Sequence, residues 1–348
     1  MVQQSNNEIR TRPCPDCYLC GVQGKLLYQG LKDCLFGAPG EWNLKKCPNP
    51  ECGLVWLDPM PLEEDIHKAY QNYYTHQDNT YISKTWRQRV YCLVKEGYLA
   101  RKYGYYNESL ATWKKFLGIL IYLDPGRRAD LDFRIMYLPA QPNGRLLEVG
   151  CGSGQMLKLM QDLGWRVEGV DFDPAAVENA KAKGLQVRLG TLESQEYPND
   201  YFDAITMSHL IEHVHDPLRL LRECNRILRP GGNLVVVTPN GESWGHKLFR
   251  DAWRGLEPPR HLHVFTITSL HCLAEKAGFQ KLTISTTIRD TNGLFIASRS
   301  IQRRGKHVMG GPQPRTVRTW ARGMQLAEWA ILKVKPDIGE EIALMGEK

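Results

Sequence analysis

The 348-residue chain is 42% hydrophobic and 24% charged, the composition of a globular protein with room for one large α/β domain and a smaller module. Its longest apolar run, FLGILIYL at 116–123, is far short of the roughly 20 residues of a membrane span, and the polar start MVQQSNNEIR has no apolar signal stretch, so a cytoplasmic protein is expected. The net charge of +7 is local: Arg299 to Lys335 holds nine Lys or Arg and one acid, Glu328. That segment predicts an anionic partner, the plainer alternative being a solvated helix face.

After a tail expected to be disordered over 1–12, the cysteines of RPCPDCYLCG and CPNPECG lie close together in sequence. Such clustering in a chain without a secretory signal reads as a metal site. In a zinc knuckle, the residue after the second thiolate favours positive φ and hence glycine. Gly21 follows Cys20 and Gly53 follows Cys52, whereas Tyr18 follows Cys17. This selects Cys17, Cys20, Cys47 and Cys52 as ligands of a structural zinc and leaves Cys14 spare. An iron–sulfur cluster nucleated by C-x2-C-x2-C, or metal-free thiols, are the alternatives. The module is assigned to 13–59.

Residues 60–143 read as a helical connector. DPMPLEEDIHKAYQNYY places Leu62, Ile66, Ala69, Tyr70 and Tyr73 at helical spacing, and SKTWRQRVYCLVKEGYL repeats this through Trp86, Val90, Leu93 and Val94. ATWKKFLGILIYL is a third helical piece. LPAQPNG marks a boundary.

From Arg145 strands and helices alternate. RLLEVG, RVEGVDF, QVRLG, FDAITMSHL, NLVVVTPN and QKLTISTTI read as strands. Helices start at the Asp-Pro pairs Asp173-Pro174 and Asp216-Pro217, and others cover SGQMLKLMQDLG and TSLHCLAEKAG. The terminal EEIALMGEK is a last strand. This pattern implies a mostly parallel, doubly wound α/β sheet built from 144–298 and 336–348. The basic insertion, 299–335, carries an expected apolar helical stripe of Val317, Trp320, Ala321, Met324, Ala327 and Ile331, with Arg315, Arg318 and Arg322 on another face.

LLEVGCGSGQM sits at the first strand-to-helix turn. Gly150, Gly152 and Gly154 let the backbone approach a ligand at a helix N-terminus. Gln155 stands where a dinucleotide fingerprint needs its third glycine. Asp171 ends the next strand, placed to accept ribose hydroxyls.

E-V-G-C-G-S-G, G-V-D, F-D-A-I-T-M-S-H-L-I-E-H and L-R-P-G-G, in that order, resemble the class I S-adenosylmethionine-dependent methyltransferases over roughly 144–290. The cysteine module, the segment with Tyr70, Tyr73 and Tyr74, and PPRHLHVFT are similar to a bacterial subset with a zinc-binding domain in front, associated with sugar and polysaccharide biosynthesis. The resemblance implies a seven-stranded Rossmann-like sheet behind a zinc-ribbon-like module. It puts Gly150, Cys151 and Gly152 around the methionine moiety of the donor, Glu148 beneath it, Asp171 on the ribose, Phe172 against the adenine and Leu192 near the adenine edge. Thr191 replaces the usual acid before Leu192.

Methyl transfer is an in-line displacement from a sulfonium, so the enzyme mainly aligns donor and acceptor. A hydroxyl or acidic-carbon acceptor also needs a base, and histidine suits that near neutral pH. His209 and His213 follow the fourth strand, with Glu212 beside them, and His261 lies in PPRHLHVFT. Glu212 and His213 are expected to brace the loop and His215 to be solvated. The expected acceptor is an anionic small molecule or glycan, with a lid or a peripheral membrane contact through 315–335. A nucleic-acid methyltransferase is disfavoured, because SHLIEH stands where base-amino methylases carry D/N-P-P-Y/F. A non-catalytic cofactor-binding scaffold is the third alternative.

Overall fold

The computed structural model describes residues 8–71, 86–106 and 111–348, to which every statement below refers. Two compact units share them: one takes residues up to 71, 208–222 and 236–346, the other the remainder.

The N-terminal strands are β1 (Thr11–Arg12), β2 (Lys25–Leu31), β3 (Trp42–Lys46), β4 (Val55–Leu57) and β5 (Met60–Pro61). β2, β3 and β4 form an antiparallel meander, held by the buried Trp42, Leu44, Val55, Trp56 and Leu57. The expected tail is shorter than 1–12. β1 pairs with β5, and Arg10 is hydrogen-bonded and ion-paired to Asp65.

A strand thus opens the segment expected to be helical from residue 60, followed by only a short 3-10 turn, Ile66–Tyr70. Tyr73 and Tyr74 fall outside the described residues. The helices that follow are α1 (Trp86–Tyr103), α2 (Thr112–Leu117) and α3 (Pro125–Arg134). The buried face of α1 starts at Val94 and continues through Tyr98 and Leu99, leaving Trp86 and Val90 exposed. Gly97 and Gly118 allow backbone contact here: a Cβ on Gly97 would lie 2.2 Å from the Lys114 carbonyl oxygen. Tyr98, Lys102 and Tyr103 converge on the buried Asp132.

The remaining elements are β6 (Arg145–Val149), α4 (Gln155–Asp162), β7 (Arg166–Asp171), α5 (Pro174–Ala182), β8 (Gln186–Leu189), β9 (Phe202–Ser208), α6 (Pro217–Ile227), β10 (Leu228–Pro239), α7 (Trp244–Phe249), β11 (His263–Val264), α8 (Ile267–Lys276), β12 (Gln280–Thr287), α9 (Thr291–Arg304), α10 (Arg315–Ile331) and β13 (Glu341–Glu347). Seven strands form one sheet in the order β12-β13-β10-β9-β6-β7-β8. β6 lies parallel to β7 and β9, and β7 parallel to β8. Lys348 pairs with Gly231 and Gly232 while Glu340 pairs with Asn240, so β13 runs antiparallel to β10 and the sheet is mixed. Leu146, Leu147, Ala204, Ile205 and Val235 to Val237 are all buried, as expected for strands covered on both faces. Asp173 caps α5 through the amides of Ala175 and Ala176, and Thr266 and Ser269 form a capping box on α8.

Two expected boundaries move. The cysteine module does not close at residue 59, because β11 adds to its sheet by pairing with β4. Thr266 also donates to the Cys52 carbonyl at 3.0 Å, and Lys276 donates to that of Leu19. The basic insertion opens inside α9, which starts at Thr291. In α10 the buried positions are Ala321, Gln325 and Glu328, and Ala327 is exposed. Polar groups turn inward because partners await them: Gln325 donates to the Ile288 carbonyl, and Glu328 accepts from the Thr291 hydroxyl and the Glu340 amide. Arg315 and Arg318 are exposed, and Arg322 is half-buried.

Candidate functional site

Sulfurs of Cys17, Cys20, Cys47 and Cys52 all lie within 4.8 Å of one another. The closest approaches are 3.6 Å for Cys17–Cys52 and 3.4 Å for Cys20–Cys47. Gly21 and Gly53 take φ of 71° and 65°, the conformation each knuckle needs. Tetrahedral zinc at ~2.3 Å from each sulfur spaces the sulfurs by roughly 3.8 Å, so the donor set fits. The thiols oppose one another's ionisation: the hydrogen bond with Cys52 pulls Cys17 down to about 5, and burial pushes Cys47 up to about 11. A cation resolves that conflict. Cys14 is not in the cluster; its amide donates to Asp58.

The loop after β6 holds Gly150, Gly152 and Gly154 at φ of 73°, 51° and 73°. Each glycine has its own reason. A Cβ on Gly152 would meet nothing within 4 Å, an open face for a ligand, whereas one on Gly154 would lie 2.4 Å from Leu185. Asp171 clasps the loop: its carboxylate accepts the Gly152 amide at 2.7 Å and the Asp173 amide at 2.9 Å. Two carboxylate oxygens offer about four acceptor positions, which leaves lone pairs for ribose hydroxyls. Burial raises the Asp171 pKa. Phe172 is 55% exposed, as a ring platform must be, but Leu192 is 1% exposed. Its side chain packs in the core. Cys151 packs inward, its sulfur in the space that a Cβ on Gly169 would need. Glu148 is buried with no partner for Oε2. Burial, then the charge of Asp171, push its carboxyl up to about 8.

The histidines that follow β9 sit with those of the PPRHLH segment in the other unit. A cavity of about 220 Å³ is lined by His209, His213, Arg254, His261, Arg289 and Glu341, among others. His209 takes φ of 51°. Its Nε2 is 3.0 Å from Glu341 and its Nδ1 3.3 Å from Glu212. Burial would lower its pKa, but the hydrogen bonds and charges of Glu212 and Glu341 outweigh it and raise the value to about 9. Arg289 also points its guanidinium at the same Nε2, 2.9 Å away, so His209 is tied into a network with Glu212, Glu341 and Arg289. Glu341 also binds Arg289 through both oxygens.

His213 and His261 contact edge to face, centroids 4.7 Å apart. Each has Nδ1 at a backbone carbonyl: His213 at Arg260 (2.9 Å) and His261 at Gly255 (2.8 Å). A carbonyl only accepts, so Nδ1 carries the proton in both rings and Nε2 keeps its lone pair. Tyr70 hydroxyl lies 2.9 Å from His213 Nδ1. Burial, then the charge of His213, lower the His261 pKa to about 4. Glu212 is fully buried and Thr238 donates to its Oε2 at 3.0 Å. One ligand atom each from Glu212, His213 and His261 lie within 4.8 Å of one another. His215 is half-buried, and its Nε2 donates to the Pro61 carbonyl at 2.9 Å.

Sequence reasoning missed Arg254, Arg289, Glu341 and the buried Arg260. Charge at the start of the otherwise apolar EEIALM strand was the available signal for Glu341. Arg260 binds Asp33 at 2.8 and 2.9 Å and Glu257 at 3.0 Å, which stakes the segment carrying His261 to the loop after β2.

Residues 126–284 match a family model described as a methyltransferase domain. A probable S-adenosylmethionine-dependent methyltransferase of Mycolicibacterium smegmatis is 34% identical over 152 residues, 43% of this chain and 54% of that protein. A ubiquinone biosynthesis O-methyltransferase of Xanthomonas campestris is 36% identical over 118 residues, 31% of this chain and 49% of that protein. The chain thus spans about half the length of the curated relatives it matches. A solved S-adenosylmethionine-dependent methyltransferase from Archaeoglobus fulgidus aligns with a TM-score of 0.44 at 18% identity, over 66% of this chain and 99% of that one.

Proposed function

We propose that this chain, which carries a class I S-adenosylmethionine-dependent methyltransferase domain, transfers the donor's methyl group to a hydroxyl of an anionic small-molecule or glycan acceptor. The observation that carries the donor half is the clasp of Asp171 on the Gly152 amide beside the open face of Gly152. The acceptor oxygen attacks the methyl carbon in line with the sulfonium, the sulfur leaves as a thioether, and the acceptor's proton passes to solvent. Activation of that hydroxyl is assigned to Glu212, His213 and His261 rather than to His209, which is held by Glu341 and Arg289.

An anionic acceptor suits the cavity wall, where Arg254 has a buried Nε with no hydrogen-bond partner. The exposed Arg315 and Arg318 of α10 add a positive face for the rest of a phosphate-bearing acceptor or for an anionic lipid surface. Among described residues, no helix is long and apolar enough to cross a membrane. The four cysteines hold structural zinc in this reading.

The test supplies methyl-labelled S-adenosylmethionine and purified protein to a fractionated extract of the source cells. Label in nucleotide-sugars, lipid-linked saccharides or polysaccharide is the expected result. Label in RNA or protein overturns the acceptor class, and donor binding with no label in any fraction favours the scaffold.

A further inference from the structure

We infer that Glu212, His213 and His261 form a second metal site, for a borderline divalent cation of the Mn, Fe, Co, Ni or Zn class, separate from the cysteine cluster. Three observations converge. The residues bring ligand atoms within 4.8 Å of one another. Both imidazoles have Nδ1 tied to a backbone carbonyl, which fixes the ring and leaves Nε2 as the electron-pair donor, the second-shell arrangement of metal-binding histidines. Glu212 is fully buried, and its Oε1 faces His209 Nδ1 at 3.3 Å. Buried carboxylates in native proteins are paired, and the His213 and His261 rings bring further ligand atoms within 4.8 Å of this one.

Two nitrogens and one carboxylate are the donor set of facial sites with open positions. His213 and His261 line the 220 Å³ cavity, so those positions face the space assigned to the acceptor. The role of the cation rests on the methyl-transfer reading; its binding does not. An ion held there would polarise the acceptor oxygen.

The test is Mn2+ binding to the full zinc-loaded chain at pH 7.5, followed by electron paramagnetic resonance of free Mn2+. Thiolates are poor ligands for manganese, so the signal reports the nitrogen–oxygen site. One Mn2+ per chain is expected, with affinity lowered at least tenfold in E212Q and in H261N. Melting curves and donor affinity of the two cavity variants check that they fold. No Mn2+ bound by the wild type, or binding that survives both substitutions, overturns the inference. Mn2+ binding by a protein that methylates no acceptor keeps the ion and removes the methyl-transfer reading instead.

Discussion

Glu148 ties the stability of the chain to pH in a way that one substitution isolates. It is buried at the end of β6, and its pKa is raised from 4.5 to about 8. Between those values the native carboxyl keeps a proton that the unfolded chain has lost. Stability therefore falls as pH rises through this window and levels off above about 8. The full difference is worth ~5 kcal/mol, of which ~1 is felt by pH 5 and ~3 by pH 7. Glu148→Gln removes the ionisation and keeps the shape. Urea unfolding at pH 5, 6, 7 and 8, without donor, should show wild-type stability falling by about 2 kcal/mol relative to the variant between pH 5 and 7. Equal pH slopes for the two proteins would refute the reasoning, because they would mean that Glu148 ionises as readily folded as unfolded. Weaker S-adenosylmethionine binding by E148Q would support the place beneath the donor's methionine moiety that the family resemblance implies for Glu148.

Metal analysis after purification without added zinc should find one equivalent in the wild type and under a tenth as much in C52S; less than half an equivalent of any metal in the wild type removes the zinc reading. Arg260→Met strands the buried carboxylates of Asp33 and Glu257 and should cost about 3–5 kcal/mol in urea unfolding. A loss below ~1 kcal/mol would show that water reaches both acids.

The parts of the fold legible in the sequence were those written in short-range rules. Asp173-Pro174 announced α5 because capping and the proline ring act within one turn. The glycine loop was legible because Gly152 and Gly154 answer to a ligand-facing surface and to Leu185. The pairing of β11 with β4 was not, since it joins residues some 200 apart through a two-residue strand with no period of its own. The inward turn of Gln325 and Glu328 was hidden for the same reason: a polar residue on a helix reads as surface until its distant partner is known. Histidines were found as residue types, but their partners were not. Glu341 binds His209, and Glu341 enters from the far end of the chain.

The sharing of β11 has a practical meaning for anyone trimming this protein. Leu57 donates to the Leu262 carbonyl, and the Leu262 amide donates to that of Glu212, so a ladder of main-chain bonds runs from the strand after the cysteines to the residue beside His213. A fragment begun after residue 60, well ahead of the family match at 126–284, would strip one side from that ladder. It would bare the buried Val264 and Phe265 and loosen His261. The cysteine-rich module is better treated as part of the compact unit that carries His213 and His261 than as a detachable accessory.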